Sequence, residues 1–120
     1  MDSNSKGCIA EYKFGIECLK RDIKVSYPLL HTSFYDCIAD TGDNMYRVQI
    51  KSTTQGYQKY RKTIHIQWKH SYEKKDVDYF AIWVEKFNGF FIFKNDGKRL
   101  AVRLSLKNDY SKYFNNFDFN

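Results

Sequence analysis

Proline and glycine are scarce in this chain, one and six among 120 residues. That scarcity speaks against a disordered or linker-rich polypeptide, which leans on both. No apolar run approaches the roughly 18 residues that a membrane helix needs, so no membrane partner is expected. The opening MDSNSKG has neither signal-peptide nor transit-peptide character, and a cytoplasmic or nucleoid-associated setting is the expectation. Cysteine is limited to Cys8, Cys18 and Cys37, an odd number without a CxxC pair, each within an apolar pattern. Buried free thiols are expected rather than disulfides, a metal centre or a nucleophile. A Gly-rich phosphate loop, GxSxG, HExxH and zinc-ligand spacing are all missing.

What is present is aromatic and basic. Ten Tyr, ten Phe and two Trp stand in a chain that is 42% hydrophobic, so rings must form much of its core. A length of 120 residues suits one domain with a real core and leaves no room for two. The net charge of +6 is unevenly placed. Residues 1–50 carry six basic and seven acidic side chains, and residues 76–120 carry seven and six. Residues 51–75 carry seven basic groups (Lys51, Lys59, Arg61, Lys62, Lys69, Lys74 and Lys75) against one acid, Glu73. His65, His70, Tyr57, Tyr60, Trp68 and Tyr72 lie among them. Cations interleaved with rings suit a polyanion, by phosphate contact and base stacking. The plainer alternative is a solvated strand edge guarded by lysines.

Along the chain, Ser3, Asn4 and Ser5 offer N-caps for a helix to about Arg21. At about 100° per residue, Cys8, Ile9, Tyr12, Ile16 and Leu19 share one quadrant, the expected core stripe. Gly15 lies at its edge, where it would allow close packing on a sheet. Glu11 lies off the other boundary, either an ordinary surface glutamate or a carboxylate reaching a site below. Ile23, Val25 and Tyr27 alternate as a strand that Pro28 ends. Thr63 to Trp68 alternates again; its His65 can be simply solvent-facing. Tyr79 to Val84 is nearly all apolar, as a strand covered on both faces would be. Asn88-Gly89 signals a hairpin returning through Phe90 to Phe93, and Leu100 to Leu106 reads as an edge strand. The tail, 107–120, has no assignment and can rest on the domain or on a second subunit. The class is α+β (α/β) with a mixed or antiparallel sheet.

The stretch of most chemical interest is YDCIADTGDNMYRVQIKS, Tyr35 to Ser52. Turn residues Thr41-Gly42-Asp43-Asn44 sit between flanks rich in β-branched and aromatic side chains, a hairpin. If Asp40 pairs with Met45, counting back places Asp36 opposite Gln49. Opposed side chains share a face, with Cβ atoms about 4.5–5.5 Å apart, and Lys51 follows Gln49 on that face. A carboxylate, an amide and an ammonium thus converge. The Asp36 carboxylate, the Gln49 side-chain oxygen and the Ile50 main-chain carbonyl suit Mg²⁺, with water and phosphate completing its shell. Such a metal would polarise a phosphoryl group and acidify a bound water. Lys51 would position or activate that water or offset developing charge, and Glu11 would bind a further water or a second metal. The alternative is a charged strand face with an Asp–Lys pair of little energetic weight.

In their order, these residues resemble the PD-(D/E)xK nuclease superfamily, most of all the group I intron-associated homing endonucleases and next the archaeal Holliday junction resolvases. The resemblance rests on Lys6 to Asp22, YDCIAD, YRVQIKS and DVDYFAIWVE, with a weaker match in AVRLSL, and covers the chain to about residue 106. It implies a restriction-endonuclease-like αβββαβ core, a mixed sheet flanked by helices, cleaving double-stranded DNA with Mg²⁺ or in its place Mn²⁺. Glu11 then matches the first-helix acid, Asp36 the metal aspartate, Gln49 the variable metal-ligand position and Lys51 the lysine. Tyr35 replaces the motif's proline, and Gln49 carries an amide where an acid is usual, in the Gln-x-Lys form that intron-encoded members share. Lys59, Arg61, Lys62, Lys69, Lys74 and Lys75 are the expected DNA contacts. One site per chain implies a homodimer or homotetramer for cutting both strands. Three rivals remain: a junction resolvase or repair nuclease, a catalytically silent DNA-binding module, and an RNA-binding module using residues 57–72.

Overall fold

The computed structural model describes residues 1–57 and 62–120. Helix α1 (Ser3–Leu19) leads into β1 (Lys24–Ser26), β2 (Cys37–Asp40), β3 (Met45–Thr53), β4 (Ile64–Gln67), β5 (Tyr79–Val84), β6 (Gly89–Lys94) and β7 (Ala101–Leu104). Short 3-10 turns cover Glu85–Phe87 and Asp109–Tyr113. Five strands form one sheet in the order β1-β2-β3-β5-β6, and β4 and β7 form a separate two-stranded ribbon. The β3–β5 pair is parallel and the others antiparallel, so the sheet is mixed and the class α+β, as expected. The β3-to-β5 crossover, where the αβββαβ scheme has its second helix, carries strand β4 among the described residues. No helix among them is long and apolar enough to cross a membrane.

Strand β5 is buried at every position, as its apolar run predicts. Alternation sends its side chains to two separate cores. Tyr79, Ala81 and Trp83 join Val48, Ile50, Cys37 and Ala39 beneath α1, while Phe80, Ile82 and Val84 join Phe91, Phe93 and the ribbon's Ile64, Val102 and Leu104. The hairpin has the expected register, with Asp40 opposite Met45. Asp40 Oδ1 accepts from the N–H of Gly42 at 2.9 Å, and Gly42 holds φ at +93°, which a side chain would resist. The unassigned tail rests on the domain: Phe117 stacks on Phe14, and Phe119 on Tyr46.

Helix α1 departs from expectation on two counts. Its N-cap is Asp2, whose carboxylate accepts from the Ser5 N–H at 2.8 Å, rather than Ser3, Asn4 or Ser5. Its buried residues are Ala10, Phe14, Gly15 and Cys18. The stripe expected to be core faces outward instead, with Tyr12 65% and Leu19 63% exposed, alongside Ile9, Ile16 and Cys8. The reason is steric. Ala10 lets the helix approach the sheet, and Phe14 alone fills the gap against Phe90 and Phe117. Gly15 leaves room for a related approach, since the Tyr27 hydroxyl lies 2.6 Å from where a Cβ would stand. Only two of the three cysteines, Cys18 and Cys37, are buried as expected.

These packing facts separate two variants. Phe14→Ala should cost about 3–5 kcal/mol, as removal of a fully buried ring does, while Ile16→Ala should change stability by no more than about 0.5 kcal/mol. Urea unfolding midpoints measure both, and comparable losses would mean that the helix buries the other face.

Candidate active site

The chemistry gathers where β2 parts from β3. Regular pairing ends at Cys37–Val48. One residue earlier, the Asp36 N–H still donates to the Val48 carbonyl at 2.8 Å. The Asp36 carboxylate turns inward and accepts the N–H of Ile50 at 2.7 Å. Asp36 therefore does not extend the ladder as a plain partner of Gln49. Its side chain takes the place of a neighbouring strand and is fixed by the backbone of β3. Ile50 joins the group through its N–H, while its side chain is buried under α1.

Glu11 reaches the same point from above. Counting about 100° per residue, it falls between Cys18 and Gly15 on the side of α1 that is buried, and it is itself half-buried. Its carboxyl is hydrogen-bonded to that of Asp36. Burial first, then the Asp36 charge and this hydrogen bond, push the Glu11 carboxyl up from 4.5 to about 7. Burial raises Asp36 as well, opposed by the Ile50 N–H, the Glu11 hydrogen bond and the Lys51 charge. Their shared hydrogen bond raises Glu11 and lowers Asp36, so of the two carboxyls it favours the proton on Glu11. The peptide carbonyl of Glu11 accepts from the Tyr27 hydroxyl at 3.3 Å.

Lys51 approaches from the opposite face of the sheet. In the parallel register Gln49 pairs with Phe80 and Lys51 with Ile82, so both point toward the side covered by the ribbon. Lys51 Nζ donates to the Tyr72 hydroxyl at 3.3 Å and stands 5.0 Å from the ring centres of Trp68 and Tyr72. Burial pulls its pKa below the usual lysine value, and the Asp36 carboxylate opposes that shift. Trp68 and Tyr72 both lean on Phe80. The buried Asn95 holds Tyr72 in place, its amide donating to the carbonyls of Tyr72 at 2.8 Å and Val77 at 3.0 Å.

Asp36 is thus coupled to Glu11 on one side and to Lys51 on the other, and Gln49 shares the face of Lys51. The Gln49 amide makes no hydrogen bond among the described residues, and no trio of His, Cys, Asp or Glu gathers among them. Lys62, Lys69, Lys74 and Lys75 are exposed, and Lys59 and Arg61 lie outside the described residues. Trp68 and Tyr72 belong with the lysine, a role their place in the basic segment did not suggest. Asn95 had no signal beyond an Asn-Asp-Gly turn.

The sequence profile of the PD-(D/E)XK endonuclease family matches residues 1–118. The chain belongs to that family. The PD-(D/E)XK fold is also visible in solved structures. A bacterial homing endonuclease, I-Ssp6803I, superposes with a TM-score of 0.75 at 21% identity, over 95% of this chain and 89% of its own. The Holliday junction resolvase Hjc of Archaeoglobus fulgidus superposes with a TM-score of 0.53 at 10% identity, over 83% of this chain and 84% of its own. At these identities the likeness is one of fold. A search of curated proteins gave no match.

The carboxyl pair makes stability depend on pH. Glu11, raised in the folded chain, keeps its proton there after the unfolded chain has lost it. Folding therefore binds a proton between about pH 4.5 and about 7, and stability falls as pH rises through that window. Urea midpoints measured in chelator from pH 4 upward should show the fall, and Glu11→Gln should flatten most of it. An unchanged slope in that variant would place the proton elsewhere.

Proposed function

We propose that this chain is a divalent-metal-dependent DNA endonuclease, of the homing or mobile-element kind, using Mg²⁺ with Mn²⁺ as a substitute. The observation that carries the reading is the Asp36 carboxylate, held against Glu11 on one side and in the field of Lys51 on the other. Membership of the PD-(D/E)XK endonuclease family supports it, and so does the fold shared with a homing endonuclease.

The donor set fits a hard divalent cation. Two carboxyls that burial forces to share a proton offer the place of that proton to a metal, and binding would release it. Asp36 and Glu11 would hold the ion with the neutral oxygens of Gln49 and of the Ile50 main chain. When bound, the metal supplies polarisation of the phosphoryl oxygen and a more acidic water. Lys51 is suited to the proton. Its lowered pKa raises the neutral share of Nζ, which takes a proton from water as the water oxygen bonds to phosphorus. The bond from phosphorus to the leaving oxygen breaks with its electron pair, and that oxygen takes a proton from solvent. The exposed Lys62, Lys69, Lys74 and Lys75, with Lys59 and Arg61, are the proposed backbone contacts. A symmetric dimer or tetramer would bring two such groups to a duplex.

Lys51→Ala and Asp36→Ala should each lower single-turnover cleavage of duplex DNA by about 10²–10⁴-fold or more, with duplex affinity within a few fold of the parent. Full cleavage by both variants would sink the proposal. Absence of Mg²⁺ or Mn²⁺ binding by calorimetry, together with no nicking, would favour a silent DNA-binding module. A four-way junction cut in preference to linear duplex would favour a resolvase.

A further inference from the structure

The β4–β7 ribbon covers the face of the sheet from which Lys51 and Gln49 project, and its own outer face is unused by the site. Ile64 pairs with Leu104 and Ile66 with Val102, and these four turn toward the core. His65 pairs with Arg103 and Gln67 with Ala101, so this second row turns outward. Gln67 and Arg103 are exposed, and His65 and Ala101 partly so. Three of the outward row, His65, Ala101 and Arg103, line a shallow groove of about 460 Å³ together with Asn108 and Asp109. Both ends of the ribbon carry exposed lysines, Lys62 and Lys107 beyond the Ile64–Leu104 pair and Lys69 and Lys98 beyond Gln67–Ala101.

We propose that this ribbon is the element that reads DNA sequence, laying His65, Gln67, Ala101 and Arg103 against base edges in the major groove beside the cleaved phosphate. The inference deepens the endonuclease reading above and rests on it. Three observations point the same way. The first is shape: a two-stranded ribbon is an element that the major groove, about 12 Å wide, admits. The second is chemistry. Arg and Gln are the side chains that grip guanine and adenine with paired hydrogen bonds, and Ala can meet a thymine methyl. Asp109, at the groove's rim, can accept from a cytosine amino group. Lysines at both ends match the phosphates that flank a groove.

The third is continuity with the site. Trp68 directly follows Gln67, and its ring is one of the two beside Lys51 Nζ. Its N–H donates to Leu100 and its indole to Arg99, which ties this end of the ribbon together. From Gln67 to Ile64 the strand runs about 10 Å, or roughly three base-pair steps. Base pairs read here would therefore lie within a few steps of the phosphate at Lys51. A-form RNA, whose deep major groove is closed to side chains, does not suit such a ribbon.

The test selects duplexes from a randomised library with metal chelated, so that binding is read without cleavage, and then measures affinity for the selected and a scrambled duplex. Gln67→Ala and Arg103→Ala should each weaken binding to the selected duplex roughly 5–150-fold, at one or two base pairs apiece. Gln67→Ala, which removes no charge, should leave affinity for the scrambled duplex within about twofold. Lys69→Ala should weaken all sequences alike and reduce the salt slope by about 0.9. Circular dichroism checks that these surface variants fold. If both ribbon variants select the parent's sequence, or the parent shows no preference while still cutting DNA, the ribbon reading fails and the nuclease stands. Equal affinity for duplex RNA also overturns it. A parent that neither binds nor cuts duplex DNA takes both readings down.

Discussion

Everything in this molecule is hung on β5, a six-residue strand with no exposed position. A strand buried on both faces must be covered twice, and the chain covers it by unlike means. On one face lies α1 with the aromatic tail, on the other the β4–β7 ribbon. The parallel partner β3 inherits that division. Its Val48 and Ile50 face the helix, while Gln49 and Lys51 face the ribbon. The entry to the pair is pinned by Arg47 and Asp78. The Arg47 N–H donates to Asp78 Oδ2 at 2.7 Å, its Nε at 3.0 Å, and the Asp78 N–H returns to the Arg47 carbonyl at 2.9 Å. A bidentate pair of this geometry sets register as well as contributing energy. The β3–β5 alignment that delivers Lys51 to its aromatic neighbours is fixed at its first step.

The site therefore draws on both sides of the sheet, which is possible only at an opening. Between β2 and β3 the ladder stops, and the Asp36 carboxylate replaces a strand partner for Ile50. A carboxylate can meet a backbone N–H with one oxygen and leave the other turned elsewhere. One residue thus closes the broken edge and faces Glu11. The cost of burying two acids is visible in the proton they share. The cost of burying an ammonium is visible in the lowered pKa of Lys51.

How much of this was legible depended on the range of the signal. Strand and turn signals were read well: the apolar run of β5 matched in full, the hairpin register from Asp40–Met45 was right, and Asn88-Gly89 marked a real turn, with Asn88 at φ +51°. These signals are local, because alternation and turn chemistry are satisfied within a few residues. The helix was read on the wrong side, since its most apolar arc is not its buried one. What decided the buried face was size. Ala10 and Gly15 permit approach to the sheet and the Tyr27 hydroxyl, and hydropathy does not record that. The tail was illegible for a related reason. Phe117 and Phe119 have no period and become core residues only because Phe14, Tyr46 and Tyr79 leave room for them. Hairpin counting put Asp36 opposite Gln49, where the carboxylate instead turns to the Ile50 N–H; Trp68 and Tyr72 meet Lys51 through the crossover, and Asn95 holds Tyr72 from beyond β6, contacts that no local pattern encodes.

The amide at Gln49 then has a physical account. Glu11 and Asp36 already place two carboxyls in a partly desolvated space, and burial allows them one full charge between them in the absence of a counter-ion. A third carboxylate at position 49 would add like charge to a group that already retains a proton near neutrality, and would draw Lys51 further toward its charged form. An amide offers the same oxygen geometry without either effect. The position where this family's motif names a carboxylate on the strand carries an amide in this chain, and the small-residue face of α1 brings a second carboxyl, Glu11, to Asp36 instead.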